Sequence, residues 1–173
     1  MKKYGALLFL MVVLLFTAAC NTFQGNQNKN KPEKPLTEKE LIALNRRLMR
    51  REKKQINDFI RLQHWKMKET GTGLRYEILK HGTGKRAKTG EIAVIRYQVK
   101  LFDGEKVYSG IKTFKIGYGN VESGLEEGIL LLKQGDVARF ILPSHLAYGL
   151  SGDGNKIPPH VPIIYHVDLL KLK

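Results

Sequence analysis

Residues 91–108 read EIAVIRYQVKLFDGEKVY. Ile95, Tyr97, Val99 and Leu101 alternate with Arg96, Gln98 and Lys100. A two-residue period puts one set of side chains on each face of a strand, so the stretch reads as a half-buried β-strand. Asp103-Gly104 is a hairpin signal, because glycine tolerates the positive φ that tight turns require. Lys106–Tyr108 can return as a second strand. Working outward, Leu74–Leu79, Phe114–Ile116, Val137–Leu142 and Ile163–Leu172 read as further short strands set between glycine turns. Ser123-Gly124-Leu125-Glu126 has capping-box spacing. It opens a short helix whose Leu125, Ile129 and Leu132 share one face, with Gly135 beyond it. The sum is an α+β domain with about five antiparallel strands. Its apolar sheet face needs a cover, and the short helix can supply it.

Upstream of residue 70 the texture is helical. Thr37 and Glu40 have capping-box spacing, and Leu36 and Leu41 stand where a hydrophobic staple would. Segment 38–68 has few breakers, and Leu41, Leu44, Leu48, Ile56, Phe59, Ile60 and Trp65 roughly follow a helical stripe. Residues 50–55 (RREKKQ) are polar all round. The pattern predicts a long helix packed at its ends and exposed in its centre, with a possible role in homodimer formation or partner docking.

The first residues set the expected location. Lys2 and Lys3 precede an apolar run over residues 5–19 (GALLFLMVVLLFTAA), which ends in Ala18-Ala19 before Cys20, the lone cysteine. A basic start, a short apolar run and small residues describe a signal peptide. The run falls short of the roughly 20 apolar residues of a comfortable membrane span. Thr17-Ala18-Ala19-Cys20 also resembles a lipoprotein signal, in which the cysteine is acylated and leads the mature chain. Residues 20–35, rich in Asn, Gln and Lys, then read as a lipidated N-terminus and flexible tether. The expected organisation is signal peptide 1–19, tether 20–35, helical segment 36–69 and folded domain 70–173. The protein would be lipid-anchored in the cell envelope and face the periplasm.

The formal net charge is +14 at pH 7. Such a charge suits an anionic membrane surface, nucleic acid or simple solvation. Export argues against nucleic acid as the working partner. His64, His81, His145, His160 and His166 show no metal-ligand spacing, so no metal and no cofactor is expected.

The residues of the C-terminal domain carry a resemblance. Gly124-Leu125-Glu126-Glu127-Gly128, Leu146-Ala147-Tyr148-Gly149, Ile157-Pro158-Pro159-His160 and Val167-Asp168-Leu169-Leu170-Lys171-Leu172 resemble an FKBP-type peptidyl-prolyl cis-trans isomerase over about 70–173. The stretches FDGEKVYS (102–109) and SGDGNKIPP (151–159) resemble the gliding-motility-associated isomerase lipoproteins in particular. The resemblance implies an FKBP-like antiparallel sheet wrapped on the short helix, proline-containing polypeptides as substrates, and assistance to the folding of exported proteins.

It also implies a site. Tyr97 and Val121 match pocket residues. Tyr148 matches the tyrosine whose hydroxyl bonds a ligand carbonyl, and Tyr165 stands where an aromatic is usual. Glu122 occupies the position whose main-chain N–H is the carbonyl donor. Tyr97, Tyr148 and Glu122 are thus the candidate catalytic residues. Val107, Tyr108, Val121, Leu125, Ile157 and Tyr165 are the candidate substrate-binding residues. Three positions depart from the pattern. Val107-Tyr108 replaces a Phe-Asp pair, Leu125 replaces the pocket-floor tryptophan, and Lys156 replaces an apolar loop residue. The missing aspartate is expected to cost the pocket an orienting acceptor. The departures leave two readings open, an isomerase and a non-catalytic FKBP-like binding module.

Overall fold

The computed structural model describes residues 36–173, and residues 39–173 form one compact unit. The signal peptide, Cys20 and the tether lie outside the described residues. The elements in chain order are α1 (Glu38–Leu62), β1 (Lys68–Glu69), β2 (Arg75–Lys80), β3 (Ile92–Lys100), β4 (Lys106–Lys115), α2 (Ser123–Leu130), β5 (Val137–Leu142), a 3₁₀ turn (Ser144–Leu146) and β6 (Ile163–Leu172). The strands make one antiparallel sheet in the order β1-β2-β5-β6-β3-β4. The expected α+β architecture of sheet, short helix and preceding long helix is present.

The hairpin read from 91–108 forms. Gly104 takes φ 92°, and the Leu101 N–H donates to the Glu105 carbonyl at 2.9 Å. The return strand is longer than expected. Lys106–Tyr108 and Phe114–Ile116 belong largely to a single strand, β4, because Ser109–Thr113 continues the pairing with β3. Counting the two-residue β1, the sheet has six strands where about five were expected.

One face of the sheet holds the main core. Ile95, Val99, Phe140, Leu142, Tyr165 and Val167 point to it, and Leu125, Ile129 and Leu132 cover it. Helix α2 lies unusually close because its sheet-facing positions include glycines. A Cβ at Gly124 would meet Leu142 Cγ at 2.6 Å, and one at Gly128 would meet Phe140 Cζ at 2.9 Å. The expected capping box does not form. Ser123 is the first helical residue, and Glu122 is the N-cap without a side-chain cap bond. Glu126 instead accepts the Gly119 N–H at 2.9 Å, which steadies the loop entering the helix.

The other face is covered by the C-terminal half of α1. Ile56, Ile141 and Ile164 form a second core with Phe59, Ile60, Trp65, Met67 and Phe102 around it. The helix stops at Leu62, short of the expected residue 68. His64 turns left-handed (φ 54°), and the Trp65 N–H closes on the Ile60 carbonyl at 3.1 Å. That turn sets Trp65 edge-on to Phe59, with the Arg139 guanidinium 3.7 Å from the tryptophan ring centroid. The N-terminal half of α1 departs from expectation too. Leu41, Ile42, Leu44 and Met49 are exposed rather than packed, because the sheet does not extend beneath them. Polar links reinforce the packed half. Glu52 accepts both the Ser144 N–H and the Ser144 hydroxyl (Oγ–Oε2 2.9 Å), and Asn57 accepts from buried Arg75 at 3.1 Å.

The glycine contacts yield a stability prediction. Alanine at a helix interior ordinarily gains about 1 kcal/mol over glycine. At Gly128 the new methyl meets a fully buried aromatic ring, and overpacking costs about 1–3 kcal/mol. Gly128→Ala should therefore lower the urea unfolding midpoint, and an unchanged or higher midpoint would contradict this packing.

Candidate functional site

Four tyrosines from three strands and one loop converge. Tyr97 stands on β3 and Tyr165 on β6, and the pairing of these strands brings their ring centroids to 6.0 Å. Tyr108 comes from β4 and Tyr148 from the loop after the 3₁₀ turn. Together with Lys112, Asp153 and Asn155 they line a pocket of about 350 Å³. Lys112 Nζ lies 5.3 Å from the Tyr97 ring centroid, and Lys156 Nζ lies 5.7 Å from that of Tyr108.

The loop carrying Tyr148 is held at both ends. The Gly149 N–H donates to the Ser144 carbonyl at 2.7 Å, and the His160 N–H donates to the Gly149 carbonyl at 2.9 Å. Ser144 is itself gripped by Glu52 of α1. The long helix thus supports the pocket tyrosine from behind, through the sheet's far side.

Two carboxylates shape the site, and neither role was legible beforehand. Asp153, in the SGDGNKIPP loop, accepts the Tyr108 hydroxyl and the N–H groups of Asn155 (2.9 Å) and Ile157 (2.8 Å). Desolvation alone would raise the Asp153 pKa. The Tyr108 hydroxyl and the loop N–H groups outweigh it and hold the carboxyl at about 2. The acceptor expected to be lost with the Phe-Asp pair is therefore present, delivered from the opposite side of the pocket. The signal for it in the sequence was the Asp153-Gly154 turn, which reads locally as turn chemistry.

The resemblance implies only a main-chain donor at Glu122. Its N–H does remain without a partner among the described residues. Its side chain, however, turns inward, and Oε1 accepts the Tyr148 hydroxyl. Oε2 is buried with no hydrogen-bond partner among the described residues. The hydroxyl expected to meet a ligand carbonyl is thus engaged by a carboxylate. Burial first, then Glu122, pushes the Tyr148 hydroxyl far above its ordinary range, and the same two causes raise Tyr165. The bond to Asp153 raises Tyr108. These three hydroxyls stay protonated and available as donors at any physiological pH.

The remaining expected site residues lie beneath the pocket rather than on its wall. Val107, Leu125 and Ile157 are buried in the main core, and Val121 packs against it. Lys156 folds back, with Nζ 3.4 Å from the Val107 carbonyl. Lys112 and Asn155 line the pocket without having been singled out. Lys112 shares β4 with Tyr108, and Asn155 reaches the pocket only through the loop's fold. Among the described residues, no group of three His, Cys, Asp or Glu converges as a metal site would.

The sequence and the fold have counterparts among known proteins. The family model for FKBP-type peptidyl-prolyl cis-trans isomerases matches residues 84–170. The chain belongs to that family. It is 38% identical over 111 residues to a probable FKBP-type peptidyl-prolyl cis-trans isomerase FkpA of Neisseria meningitidis, covering 61% of this chain and 40% of that protein. It is 36% identical over 105 residues to an FK506-binding protein of the same species, of which it covers 96%. The fold matches the crystal structure of a peptidyl-prolyl cis-trans isomerase from Pseudomonas syringae with a TM-score of 0.62 and 25% identity, over 72% of this chain and 95% of that one. The family's members thus range from proteins that the chain nearly spans to ones more than twice the length of the matched segment.

The Asp153 cup should respond to acid in a defined direction. A carboxyl held at about 2 when folded, against an ordinary value of about 3.9, stabilises the loop above the ordinary value. It loses that contribution as pH falls from about 4 through about 2. Hydrogen exchange should show the Asn155 and Ile157 amides protected at pH 5 to 7 (about neutral, where the carboxyl is ionised) and progressively exposed at lower pH. Asp153→Asn should expose them at neutral pH, and retained protection in that variant would remove Asp153 from the loop's support.

Proposed function

We propose that this chain is a peptidyl-prolyl cis-trans isomerase of the bacterial envelope that assists the folding of exported proteins. The observation that carries the reading is the tyrosine-walled pocket beside the free Glu122 N–H.

Rotation about an X–Pro bond faces a barrier of about 18–20 kcal/mol, because amide resonance must be lost. Lowering it needs no nucleophile. It needs an apolar wall that strips water from the amide, which disfavours the charge-separated resonance form, and donors that hold the twisted state. Tyr97 and Tyr165 supply the wall, with Leu125 and Ile157 packed beneath it. The Glu122 N–H is the first donor, placed to receive the carbonyl preceding proline. The Tyr148 hydroxyl is the second donor and must exchange its Glu122 partner for substrate. Tyr108, oriented by Asp153, completes the rim.

The placement of the protein is part of the same proposal. Signal peptide 1–19, acylation at Cys20 and tether 20–35 would hold the domain near a membrane, facing the periplasm, where exported chains emerge. Among the described residues, no helix is long and apolar enough to cross a membrane. The stretches FDGEKVYS and SGDGNKIPP support a link to gliding motility. The exposed stripe of Leu41, Ile42, Leu44 and Met49 on α1 supports a homodimer or partner contact through segment 38–68.

A second reading is a non-catalytic binding module, and the Glu122–Tyr148 bond favours it, because a carboxylate on the pocket tyrosine competes with substrate. An isomerisation assay on a proline tetrapeptide with the soluble 21–173 fragment separates the two. Acceleration over buffer is expected for the enzyme, whereas folded protein without acceleration establishes the module.

Glu122→Ile keeps the main-chain N–H and frees the Tyr148 hydroxyl. A hydrogen bond to a charged group contributes about 1.5–3 kcal/mol. Recovering part of that for substrate should raise kcat/KM by about tenfold, since 1.36 kcal/mol is one decade. A fall in kcat/KM would show that the carboxylate serves turnover rather than opposing it. In cells, Cys20→Ser should release the protein from the membrane fraction, and a variant that stays membrane-bound would discount the anchor.

A further inference from the structure

The C-terminal half of α1 turns its apolar side to the sheet, and on the opposite side of the helix an array of charge runs from the exposed first half into the packed half. Arg46, Arg47, Arg50, Arg51 and Lys54 surround Ala43 on one exposed face. At 3.6 residues per turn these six positions fall within an arc of about 140°. The centre of that arc is opposite Ile56, which is buried against the sheet. Lys54 pairs with Asp58 at 2.6 Å. The four arginines make no ion pair or hydrogen bond with any described residue. Between Lys39 and Arg51 the chain has one acid, Glu40.

Four unpaired guanidinium groups on consecutive turns repel one another, and i,i+4 like-charge pairs such as Arg46–Arg50 and Arg47–Arg51 cost a helix a few tenths of a kcal/mol each. An external anionic array would relieve that repulsion. From this we infer that the Arg46/Arg47/Arg50/Arg51 face of α1 docks on an anionic phospholipid surface. Several features favour that occupant. The face is the convex side of a helix, so it fits an extended plane of phosphates rather than one small anion held in a cleft. It carries no aromatic side chain, whereas single-stranded nucleic acid is held by stacking as well as charge. A second copy meeting the same face would set arginine against arginine. The face also points away from the sheet, so the domain can approach a membrane without disturbing either core. This contact does not rest on the proposed lipid at Cys20, and both together would give the two signals that stable membrane attachment requires.

The whole described core lies within the compact unit Lys39–Lys173, so fragment 36–173 retains the fold and lacks Cys20 and the apolar leader. The test is co-sedimentation of this fragment with vesicles of phosphatidylglycerol and phosphatidylcholine, beside vesicles of phosphatidylcholine alone. Binding should require phosphatidylglycerol and fall steeply between about 0.05 and 0.5 M salt, as the Debye length shrinks. Each basic residue near such a surface is worth roughly fivefold in partitioning. The R46Q/R47Q/R50Q/R51Q variant, which keeps good helix formers at exposed positions, should bind roughly six hundredfold more weakly. Circular dichroism checks its fold. Should it unfold, the R46Q/R47Q and R50Q/R51Q pairs are compared instead, each expected to lose roughly twenty-five-fold. Equal binding to neutral vesicles would overturn the inference, as would undiminished binding of the folded variants. Absence of vesicle binding with retention of an oligonucleotide, or with dimer formation by the fragment, would overturn it too.

Discussion

The architecture depends on the close approach of α2 to the sheet. Gly124 and Gly128 remove the two methyl groups that would otherwise strike Leu142 and Phe140. With the helix at that depth, Leu125 and Ile129 bury completely, and one short helix suffices to cover the inner face. The same approach fixes where the helix begins. Glu122, its N-cap, is thereby held with its carboxylate against Tyr148 and its N–H without a partner among the described residues. A helix standing a few tenths of an ångström farther out would leave the core underpacked and move the donor away from the tyrosine wall.

The outer face adds a different kind of support. Ile56, Phe59 and Ile60 pack on Ile141 and Ile164, which alternate with Phe140 and Tyr165 along the same strands. Strands β5 and β6 are therefore buried on both faces where they pair. The polar link from Glu52 to Ser144 passes from this outer layer to the loop that bears Tyr148. A side chain on the long helix and a hydroxyl in the pocket are so connected through one 3₁₀ turn. The exposed first half of α1, with an apolar stripe on one side and arginines on the other, continues beyond the sheet as a surface with its own chemistry.

Where β4 carries no aspartate, Asp153 from a distant loop accepts a tyrosine hydroxyl of the pocket. The main-chain N–H proposed as donor at Glu122 does not depend on the side chain attached to it. That side chain nevertheless enters the pocket and binds the other donor, so the substitution is felt at Tyr148. The Tyr148 hydroxyl is held by a charge-assisted internal bond, the stronger kind of hydrogen bond.

Much of this protein was legible from pattern alone. The alternation in 91–102 and the Asp103-Gly104 turn determined the central hairpin, since a period of two leaves no other arrangement that buries one face. The order of the motifs around Gly124, Tyr148 and Ile157 determined the family, and Tyr97, Tyr108, Tyr148 and Tyr165 were named before they met. Tertiary structure alone decided what those tyrosines touch. Asp153 and Glu122 look like turn and helix-start residues because their neighbours in the chain explain them fully. Their partners lie 45 and 26 positions away, and no local periodicity encodes a hydrogen bond across that separation. The stripe on α1 was likewise visible as a period. Which half of it would be covered depended on where the sheet ended, and that is a property of the folded whole.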